Sequence, residues 1–551
     1  MNSTSTQKHR LLFLTVNSSF SHSSLALPLL HSACSALTRW EWCRCDTTIV
    51  QDTLNTVQEI YNAKCDLLVT DLYLFNRQKA MEILHRIHTL APEIKIAVGG
   101  PECLGEGAEE LLREYPWLDR VFRGEGEEIF KSYLDRFDSD APPACRILPA
   151  QGNGVFEDWT SSPYPVCDSF FITDKPFVQM ETSRGCPMGC FYCTSSGIRP
   201  RYRTLEQVRE ELSLLAAKGV REIRILDRTF NVPQERGAAL LRLFREEFPQ
   251  MRFHLELHPQ FLNAALQEEL QKARPGQLHI EAGIQCLDQE VQNLSGRRSN
   301  VKALEEGLKF LCSISAFETH ADLIAGLPGQ KWNHILDDTA ALMKLNVAEI
   351  QLEVLKVLPG TPMRKIASLH DLRYCKTAPY DVMASSTVTL EEIQYARDLS
   401  RLLDMTYNHK NFHSVIGAMN SECPAFIPRF LDLFHRAGGN SSTLWDLKKR
   451  FLFLLDLCSK LSLKAGQREL AFQWLCAGFP PMQGPDIYSQ KCSQPDTDFK
   501  VITGSPDCIG ARETRYWRFP VQDQEYIFAY NRSFALHLPA AIVVLPVPGQ
   551  L

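Results

Sequence analysis

The sequence predicts an α/β protein in three parts: a doubly wound parallel sheet, a partial (β/α)6 barrel and a mostly helical C-terminal domain. Three observations carry this prediction. Short apolar strands alternate with helical segments in the first third, a strand–loop–helix pattern occurs six times from Phe177 onward, and amphipathic stretches follow residue 386. We place the N-terminal domain at 1–140, a linker at 141–175, the barrel at 176–385 and the C-terminal domain at 386–551.

The N-terminal third contains four predicted strands with helices between them. The strands are 11–16, 66–70, 94–98 and 120–122, and the helices are 25–37, 78–90 and 107–115. Ligands of a doubly wound sheet bind at the carboxyl ends of its strands. Three loops fall there, namely 17–24, 99–102 (GGPE) and 124–127 (GEGE). Their glycines either let the backbone approach a ligand or form tight turns, and both roles stay open.

The barrel pattern consists of six predicted strands, each followed by a helix. These strands are 178–182, 222–226, 253–257, 278–282, 319–324 and 350–357. Thr204 and Gln207 form a capping box that begins the first helix. Chemistry in βα barrels gathers at the carboxyl ends of the strands, so the loops that follow these strands are the candidate site.

Three cysteines, Cys186, Cys190 and Cys193, form a C-x3-C-x2-C cluster in the loop after the first barrel strand. Thiolates are the usual ligands of a [4Fe–4S] cube. Three nearby cysteines would leave one iron open to a ligand that is not protein, which is the arrangement of a catalytic cluster. Glycine and proline punctuate the loop, as expected of backbone that wraps closely around a ligand.

Three alternatives to a catalytic cluster stay open, although each is weaker. Structural zinc normally has four protein ligands, and no second C-x2-C or H-x3–5-H pair follows at finger spacing. An electron-transfer ferredoxin would supply a fourth cysteine, and the next one, Cys286, lies far downstream on a predicted strand. Three unrelated core thiols would also fit, since free cysteine is often buried. We therefore favour a catalytic iron–sulfur site.

The composition is that of an ordinary globular protein. Hydrophobic residues make up 44% and charged residues 23% of the 551 residues, and the net charge is −6. No long basic run occurs, so no nucleic-acid partner is expected. Eighteen cysteines, a polar segment 1–10 and the lack of a membrane-length apolar run predict a soluble protein of the reducing cytosol without a membrane partner.

The cysteine motif, with Tyr192 before its last cysteine, resembles the signature of the radical S-adenosylmethionine (SAM) superfamily. The resemblance implies an enzyme in which SAM chelates the open iron of a [4Fe–4S] cluster, with Tyr192 as a SAM contact. One-electron reduction would cleave the sulfonium bond, and the resulting 5′-deoxyadenosyl radical would abstract hydrogen from a substrate. A flavodoxin- or ferredoxin-type electron donor is implied as well. The cofactors carry this chemistry, and the protein orients them.

Four further residues match the superfamily in order and are implied SAM contacts. Asp227 ends the second strand, where relatives hold the SAM amino group, although the usual Gly-Gly-Glu is absent. Glu281 lies where a carboxylate can accept hydrogen bonds from ribose hydroxyls or an ammonium, with a structural ion pair as the alternative. Arg297 matches an arginine that meets the SAM carboxylate, with Arg298 as the alternative. Gly326 matches the loop that packs against adenine.

The N-terminal loops together resemble the flavodoxin-like cobalamin-binding domain that precedes the barrel in one large class of radical SAM enzymes. The specific part of the match is the GGPE loop followed by a strand ending in RGEGE. The candidate cobalamin contacts in these loops are Ser21, His22, Gly99, Gly100 and Gly124. The Asp-x-His-x-x-Gly motif that supplies an axial histidine in other cobalamin folds is absent, so we expect cobalamin without a histidine ligand. A domain that has lost the cofactor, and a His22 loop that only caps the next helix, stay open.

Segments near both ends of this match resemble one subgroup of these proteins, which carries a C-terminal domain of unknown function. They are 17–24 (NSSFSHSS) and 351–363 (QLEVLKVLPGTPM). Beyond residue 386 the sequence predicts helices, the first begun by Thr389 and Glu392 as a capping box, and a small hairpin within 516–530. Pro520 is expected to weaken the first arm of that hairpin.

Two classes of function follow, and the sequence identifies no catalytic side chain. The leading hypothesis is a radical SAM enzyme whose cobalamin accepts a methyl group from one SAM and delivers it to a small-molecule substrate. Radical cyclisation or oxidation without methyl transfer is the enzymatic alternative. A non-catalytic iron–sulfur sensor or electron carrier is the other class. Transfer-RNA modification is disfavoured because no small basic RNA-binding domain is visible.

Overall fold

The computed structural model describes residues 8–138, 145–481, 483–485, 488–495, 499–521, 524–534, 539 and 541–545. The start of the predicted linker, 141–144, and residues 1–7 of the polar N-terminal segment lie outside this part of the chain. The chain divides into two compact units. The first holds the described residues up to Thr319, with 326–331 and 354–390, and the second holds 320–325, 332–353 and the described residues from Glu391 onward. The domain boundaries drawn from the sequence stay a prediction.

The helices and strands of the described residues are numbered here in chain order. The strands are β1 (His9–Asn17), β2 (Trp40–Thr48), β3 (Leu67–Asp71), β4 (Lys95–Gly99), β5 (Arg120–Phe122), β6 (Ile147–Leu148), β7 (Val178–Met180), β8 (Ser183–Arg184), β9 (Arg201–Tyr202), β10 (Glu222–Ile225), β11 (Arg252–Leu257), β12 (Leu278–Gln285), β13 (Glu318–Ala325), β14 (Glu349–Val354), β15 (Arg373–Tyr374), β16 (Val382–Ala384), β17 (Gln490–Cys492), β18 (Lys500–Gly504), β19 (Arg515–Val521), β20 (Gln524–Tyr530) and β21 (Ala541–Leu545). The helices are α1 (Ala26–Ala33), α2 (Thr53–Ala63), α3 (Arg77–Leu90), α4 (Gly107–Glu114), α5 (Glu127–Asp135), α6 (Leu205–Ala217), α7 (Gln234–Glu247), α8 (Ala264–Gln271), α9 (Gln289–Leu294), α10 (Val301–Cys312), α11 (Trp332–Lys344), α12 (Pro362–Ile366), α13 (Leu390–Met405), α14 (His413–Glu422), α15 (Phe426–Arg436), α16 (Leu447–Leu461) and α17 (Lys464–Cys476).

The N-terminal sheet has parallel strands in the order β2-β1-β3-β4-β5-β6. Alternate residues of β1 point to opposite faces of the sheet. Leu12 and Leu14 pack with apolar residues of α2, α3 and α4, whereas Leu11 and Phe13 pack with residues of α1 and α5. Helices therefore cover both faces, and the predicted doubly wound sheet is confirmed.

Strands β2 and β6 were not predicted from the sequence. β2 pairs with β1 along its whole length but lies at the edge of the sheet, and its sequence WEWCRCDTT mixes charged with apolar residues. An edge strand lacks the continuous apolar run that marks a strand buried on both faces. β6 is too short, at two residues, to leave a pattern in the sequence.

In the first unit, four parallel strands lie in the order β12-β11-β10-β7, and helices follow each of them. They are the first four predicted barrel strands. The remaining two are present as β13 and β14, which neighbour each other, so the six predicted strand–helix repeats are all observed. The predicted capping box of Thr204 and Gln207 begins α6, with both reciprocal hydrogen bonds formed.

The strands of this four-stranded sheet have one apolar and one polar face. Apolar residues such as Ile223, Leu255 and Ile280 pack against α6, α7 and α8. The opposite face, called the inner face below, carries partly exposed polar side chains: Gln179, Glu181, Arg224, His254, Glu256, His279 and Glu281. A barrel interior filled only for packing would hold branched apolar residues. The polar inner face is therefore available for binding.

A buried ion pair connects the GGPE loop with the segment 354–390 of the same unit. Arg77 Nη1 lies 3.0 Å from Glu102 Oε2, and Tyr380 Oη donates to the same carboxylate oxygen at 2.8 Å. Arg77 also binds Glu114 at 2.9 Å. The side chains of Arg77 and Glu102 are only 8% and 3% exposed. Glu102 of the GGPE motif therefore holds the loop in place and is not a ligand contact.

The second unit contains α13 to α17 and a five-stranded antiparallel sheet in the order β17-β19-β20-β21-β18. The predicted helical character is confirmed, but the hairpin of β19 and β20 belongs to a larger sheet than expected. Its turn residues, 522–523, lie outside the described part of the chain. Pro520 is tolerated within β19 because β17 pairs only with the residues from Tyr516 to Arg518.

Within the described residues, none of the helices combines the length and the apolar character needed to cross a membrane.

We expect Glu102→Gln to lower the free energy of unfolding of the first unit by about 2–3 kcal/mol, because it leaves the buried Arg77 guanidinium beside a neutral amide. Chemical denaturation followed by circular dichroism measures this loss. Glu106→Gln is the matched control: its exposed carboxylate lies 3.6 Å from Arg364 Nε, and such pairs contribute at most about 1 kcal/mol. Equal losses of unfolding free energy in the two variants would contradict the structural role of the Arg77–Glu102 ion pair.

Candidate functional site

The three cysteines lie in a loop, residues 185–200, that the short hairpin of β8 and β9 closes at its base. We call it the cysteine loop. Gly185 has a φ of +88°, and a Cβ there would lie 2.6 Å from the carbonyl oxygen of Arg199. The Cys186 N–H donates to the Ile198 carbonyl at 3.1 Å. A glycine is therefore required where the chain leaves the hairpin and turns toward Cys186.

The thiols of the loop are free and close to one another. Cys186 and Cys190 are buried, and Cys193 is partly exposed. Burial raises the pKa of the Cys193 thiol, and the nearby sulfurs of Cys190 and Cys186 raise it further. Cys186 Sγ lies 3.3 Å from Thr229 Oγ1, and the Ser195 N–H donates to Cys193 Sγ at 3.4 Å. The Thr229 hydroxyl donates to the Arg228 carbonyl at 2.7 Å, so the Ser195 N–H is the donor here that suits sulfur carrying negative charge.

The number of thiols in the loop bears on the kind of metal site. In the described chain, the Sγ atoms of Cys186, Cys190 and Cys193 do not all lie within 4.8 Å of one another. The donor set, three thiols without a fourth in the loop, fits a [4Fe–4S] cluster with one open iron.

The segment after α9 packs directly on the cysteine loop and places Arg297 beside it. The Phe191 N–H donates to the Ser295 carbonyl at 2.9 Å, and a Cβ at Gly296 would lie 2.4 Å from the Phe191 ring. Arg297 is 6% exposed. Its Nη1 lies 4.0 Å from Cys190 Sγ and 3.4 Å from Tyr192 Oη.

Arg297 and not Arg298 is therefore the arginine of the site. Arg298 is exposed, whereas Arg297 Nη2 donates to the Gly283 carbonyl at 2.5 Å and its buried Nε has no partner among the described residues. Tyr192 and Arg297, two of the predicted SAM contacts, are thus next to a cysteine ligand. Their contact with SAM stays a prediction.

Asp227 is fully buried and has its hydrogen bonds satisfied by the protein. Its carboxylate accepts from the backbone N–H groups of Thr182 and Ser183 at 2.7 and 2.8 Å, and from Thr182 Oγ1 at 2.5 Å. Burial raises the pKa of the carboxyl, whereas these donors and Arg236 oppose the rise. The contacts fix the chain where β7 leads into the cysteine hairpin. Asp227 therefore positions the cysteine loop, and its predicted bond to the SAM amino group finds no support in this geometry.

Glu281 and Gly326 are placed where further cofactor contacts are possible. The Glu281 carboxylate projects from the inner face, is 29% exposed and accepts from His254 Nε2 at 2.9 Å. Glu281 lies two residues before Gly283, whose carbonyl accepts from Arg297. The two residues are therefore on the same face of the strand. Gly326 has a φ of +89°, and its N–H donates to Gln330 Oε1 at 2.8 Å.

A cavity of about 720 Å³ lies at the carboxyl ends of the N-terminal strands. Of the predicted cobalamin contacts, His22, Gly99, Gly100 and Gly124 line it. Ser21 is not among the lining residues, and its N–H donates to Ser19 Oγ within the loop itself, at 3.3 Å. Its contact with cobalamin stays a prediction.

The glycines of these loops serve backbone packing. A Cβ at Gly100 would lie 2.7 Å from the Leu72 carbonyl, and one at Gly124 would lie 2.4 Å from Gly154 backbone atoms. Both have a positive φ. Of the two roles that the sequence left open for these glycines, tight turning is the one that their contacts support.

His22 has one ring nitrogen engaged inside its own loop. Its Nδ1 lies 3.2 Å from Ser18 Oγ and 2.9 Å from Ser19 Oγ. Burial lowers the pKa of the imidazole, and the nearby Arg224 lowers it further, so the ring is neutral at pH 7. The sequence left open that this loop only caps the next helix. Ser24 makes a contact of that kind, because its Oγ accepts from the Ala26 N–H at 3.1 Å.

Asp71, which lines the same cavity at the end of β3, was not predicted from the sequence. Ser24 Oγ donates to Asp71 Oδ2 at 3.0 Å, and burial raises the pKa of this carboxyl to about 6. A polar residue at the carboxyl end of a central parallel strand is a signal that could have identified it.

Two arginines of the cysteine hairpin bind carboxylates of the RGEGE segment. Arg184 Nη1 lies 3.3 Å from Glu125 Oε2 and 2.8 Å from Glu127 Oε1, and Arg201 also binds Glu125. We call these four residues the arginine–glutamate network. It connects the N-terminal sheet with the cysteine loop. Consistent with this connection, Gly185, Thr194, Ser195 and Ile198 of the cysteine loop line the same cavity as the glycine-rich loops.

We expect Asp227→Asn to reduce the iron bound after anaerobic reconstitution by half or more, because an amide places N–H donors against the N–H groups of Thr182 and Ser183. The disturbance should cost about 1–3 kcal/mol of stability. Iron analysis and thermal melting measure the two effects. Asp52→Asn is a control because that side chain caps helix α2 of the N-terminal sheet and not an element that packs on the cysteine loop. Full iron content with weakened SAM binding would instead make Asp227 a SAM contact.

Comparisons with known proteins agree with this geometry. Residues 180–342 match the family model of the radical SAM superfamily, and residues 368–475 match that of a protein family of unknown function, DUF4080. The chain is 26% identical over 303 residues to an uncharacterized methyltransferase of Pyrococcus horikoshii, covering 50% of this chain and 64% of that protein. It is 21% identical over 337 residues to the cobalamin-dependent radical SAM methyltransferase TokK of Streptomyces tokunonensis, covering 54% of this chain and 48% of TokK. The chain thus covers less than two thirds of the length of these relatives.

A solved structure extends the likeness over most of the chain. The cobalamin-dependent SAM radical enzyme OxsB, with aqua-cobalamin and SAM bound, matches with a TM-score of 0.56 and 13% identity over 87% of this chain and 74% of its own. At that identity the likeness concerns the fold, and the predicted fold class is confirmed. The family models agree with the predicted resemblance: the radical SAM model matches residues 180–342, and the DUF4080 model matches residues 368–475.

Proposed function

We propose that this protein is a radical SAM enzyme that binds a [4Fe–4S] cluster, SAM and cobalamin and transfers a methyl group to a small-molecule substrate. The observation that carries the proposal is the shared cavity of about 720 Å³, lined by the cysteine loop and by the glycine-rich loops of the N-terminal sheet. A ligand held by one set of loops would face a ligand held by the other. The volume of the cavity is within the usual range of small-molecule sites.

The residues of the chain bind and orient the cofactors in this proposal. Cys186, Cys190 and Cys193 hold three irons and leave the fourth open. Arg297, beside Cys190, offsets thiolate charge and presents a buried cation to a carboxylate, a pairing that suits guanidinium geometry. Glu281 accepts hydrogen bonds from hydroxyl or ammonium groups. When bound, reduced cluster and SAM would supply a carbon-centred radical, and cobalamin would supply a transferable methyl group.

The N-terminal domain presents cobalamin without a histidine ligand. The absence of the Asp-x-His-x-x-Gly motif supports this arrangement. His22 lines the cavity, and Ser18 and Ser19 engage its Nδ1. Asp71 and Ser24 offer a carboxylic acid and a hydroxyl at the end of β3. With a pKa of about 6, Asp71 is mostly ionised above that pH and protonated below it.

Methyl transfer, the electron donor and the compartment rest on supporting evidence of different kinds. Both curated relatives are named as methyltransferases, which supports a methyl group as the cargo. A flavodoxin- or ferredoxin-type protein would supply the electron. All eighteen cysteines are free, which supports a reducing compartment such as the cytosol.

The direct test uses protein reconstituted anaerobically with iron, sulfide and hydroxocobalamin. After chemical reduction and addition of SAM, we expect 5′-deoxyadenosine, S-adenosylhomocysteine and the absorbance of methylcobalamin. Cobalamin should also remain bound through gel filtration. A folded, iron-replete protein that forms neither nucleoside product would contradict the proposal and favour a sensor or electron carrier. Formation of 5′-deoxyadenosine without cobalamin uptake would limit the N-terminal domain to a scaffold.

Replacing Cys186, Cys190 and Cys193 together by alanine should abolish the broad visible absorbance of the reconstituted protein, because three of the four irons lose their ligands. Iron and sulfide analysis measures how much iron and sulfide is bound per chain. Cys167→Ala is the matched control, since this thiol is exposed and lies outside the cysteine loop. Retention of a full-intensity cluster in the triple variant would overturn the ligand assignment.

A further inference from the structure

The inner face of the barrel sheet carries a row of side chains that the proposed cofactors do not use. Arg224 of β10 is in register with Gln179 of β7 on one side and with His254 of β11 on the other. His254 is in turn in register with His279 of β12, and the two imidazoles stack with ring centres 4.8 Å apart. Residues in register project from the same face of a sheet. We call these four residues the Arg224 row.

A row of acidic residues lies next to it, toward the cysteine loop. Glu181, Glu256 and Glu281 follow the residues of the Arg224 row by two positions along their strands, so they share the inner face. Arg184 lies 2.8 Å from Glu181, and Arg228 lies 3.9 Å from Glu256. Glu281 accepts from His254 Nε2 at 2.9 Å. The carboxylates of the acidic row therefore have partners within the protein.

Arg224 differs from the other arginines near the cavity because its charge is not balanced. Its guanidinium forms no hydrogen bond or ion pair with any described residue, and its Nε is buried without a partner. The guanidinium carbon lies 3.7 Å from the centre of the Phe177 ring, which holds it against one face. A partly buried, unpaired cation is costly, and binding of an anion would remove that cost.

The unpaired guanidinium lies next to two residues of the shared cavity, although Arg224 itself is not among the residues that line it. Gln179, its neighbour in register, lines the cavity, and so does His22. The His22 ring contacts the edge of Phe177 at 5.0 Å, and Arg224 is close enough to lower its pKa. Two of the side chains around Arg224 therefore face the space where the substrate would bind.

We infer that Arg224 binds an anionic oxygen group of the substrate, a carboxylate or a phosphate. The inference rests on the proposed function, because it places the substrate in the same cavity. A planar guanidinium offers paired donors that match either oxyanion. The carboxylates of the acidic row have basic neighbours, whereas Arg224 has no ion pair among the described residues, so the Arg224 row is where the acid group of the substrate binds. The substrate class is therefore a small acid.

The test measures binding of two probes, inorganic phosphate and succinate, to the reconstituted protein by isothermal titration calorimetry. At least one probe should bind saturably with a stoichiometry near one. Arg224→Gln should weaken that binding about tenfold or more, the usual effect of losing a charged hydrogen-bond pair. Arg224→Lys keeps the charge but not the paired donors. Its affinity for the probe should therefore lie between those of the unaltered protein and Arg224→Gln. Preference for phosphate or for succinate identifies which acid the substrate carries.

Arg221→Gln is the matched control, because Arg221 is an exposed arginine just before the same strand. It should bind both probes as the unaltered protein does. Iron content shows whether each variant is folded around its cluster. Equal probe binding by Arg224→Gln and Arg221→Gln, or failure of both probes to bind the unaltered protein, would overturn the inference.

The probe titration and the SAM-cleavage assay fail independently. Probe binding that depends on Arg224 in a protein that forms no 5′-deoxyadenosine would remove the proposed function and leave the anion site. Nucleoside formation with probe binding that does not depend on Arg224 would remove only the anion site.

Discussion

The arginine–glutamate network is the interaction on which the rest of the site depends. Glu125 binds both Arg184 and Arg201, and the two arginine side chains are only 8% exposed. Burial acts to raise the pKa of the Glu125 carboxyl, but the bond from Arg201 and the charge of Arg184 outweigh it and lower the pKa. A lowered pKa means that the stabilisation is complete above about pH 4.3, the value in an unfolded chain, and is lost as the pH falls through the folded value.

The network explains why one cavity serves two sets of loops. RGEGE follows β5 of the N-terminal sheet, whereas Arg184 and Arg201 flank the cysteine loop, so the ion pairs bring the ends of two sheets to a common space. Asp227 fixes the same hairpin from β10, and the pair of Arg77 and Glu102 fixes the GGPE loop. Chemistry that needs two cofactors and one substrate requires loops held at such fixed positions. Arg224, in contrast to the arginines of the network, has no ion pair among the described residues.

The fold and the grouping of three cysteines in one loop could be predicted because they leave local patterns. Apolar runs of parallel strands, the capping box at Thr204 and the spacing of three cysteines are all properties of short segments. The hydrogen bonds of Asp227 could not be predicted, because they come from the backbone of Thr182 and Ser183, which are distant in the sequence. That Arg224 has no ion pair depends on the residues beside it in β7 and β11, which the sequence of β10 alone does not reveal. The polar inner face would have been visible as polar residues alternating with apolar ones in β11 and β12.

The most direct test of the network is a double-mutant cycle with Glu125→Gln, Arg201→Gln and the double variant, read as iron and cobalamin bound per chain after reconstitution. If the network joins the two sets of loops, each single variant should lose both cofactors, and the double variant should lose little more than the more severe single one. Additive losses, or a Glu125→Gln protein that loses cobalamin while keeping its full iron content, would contradict the central claim.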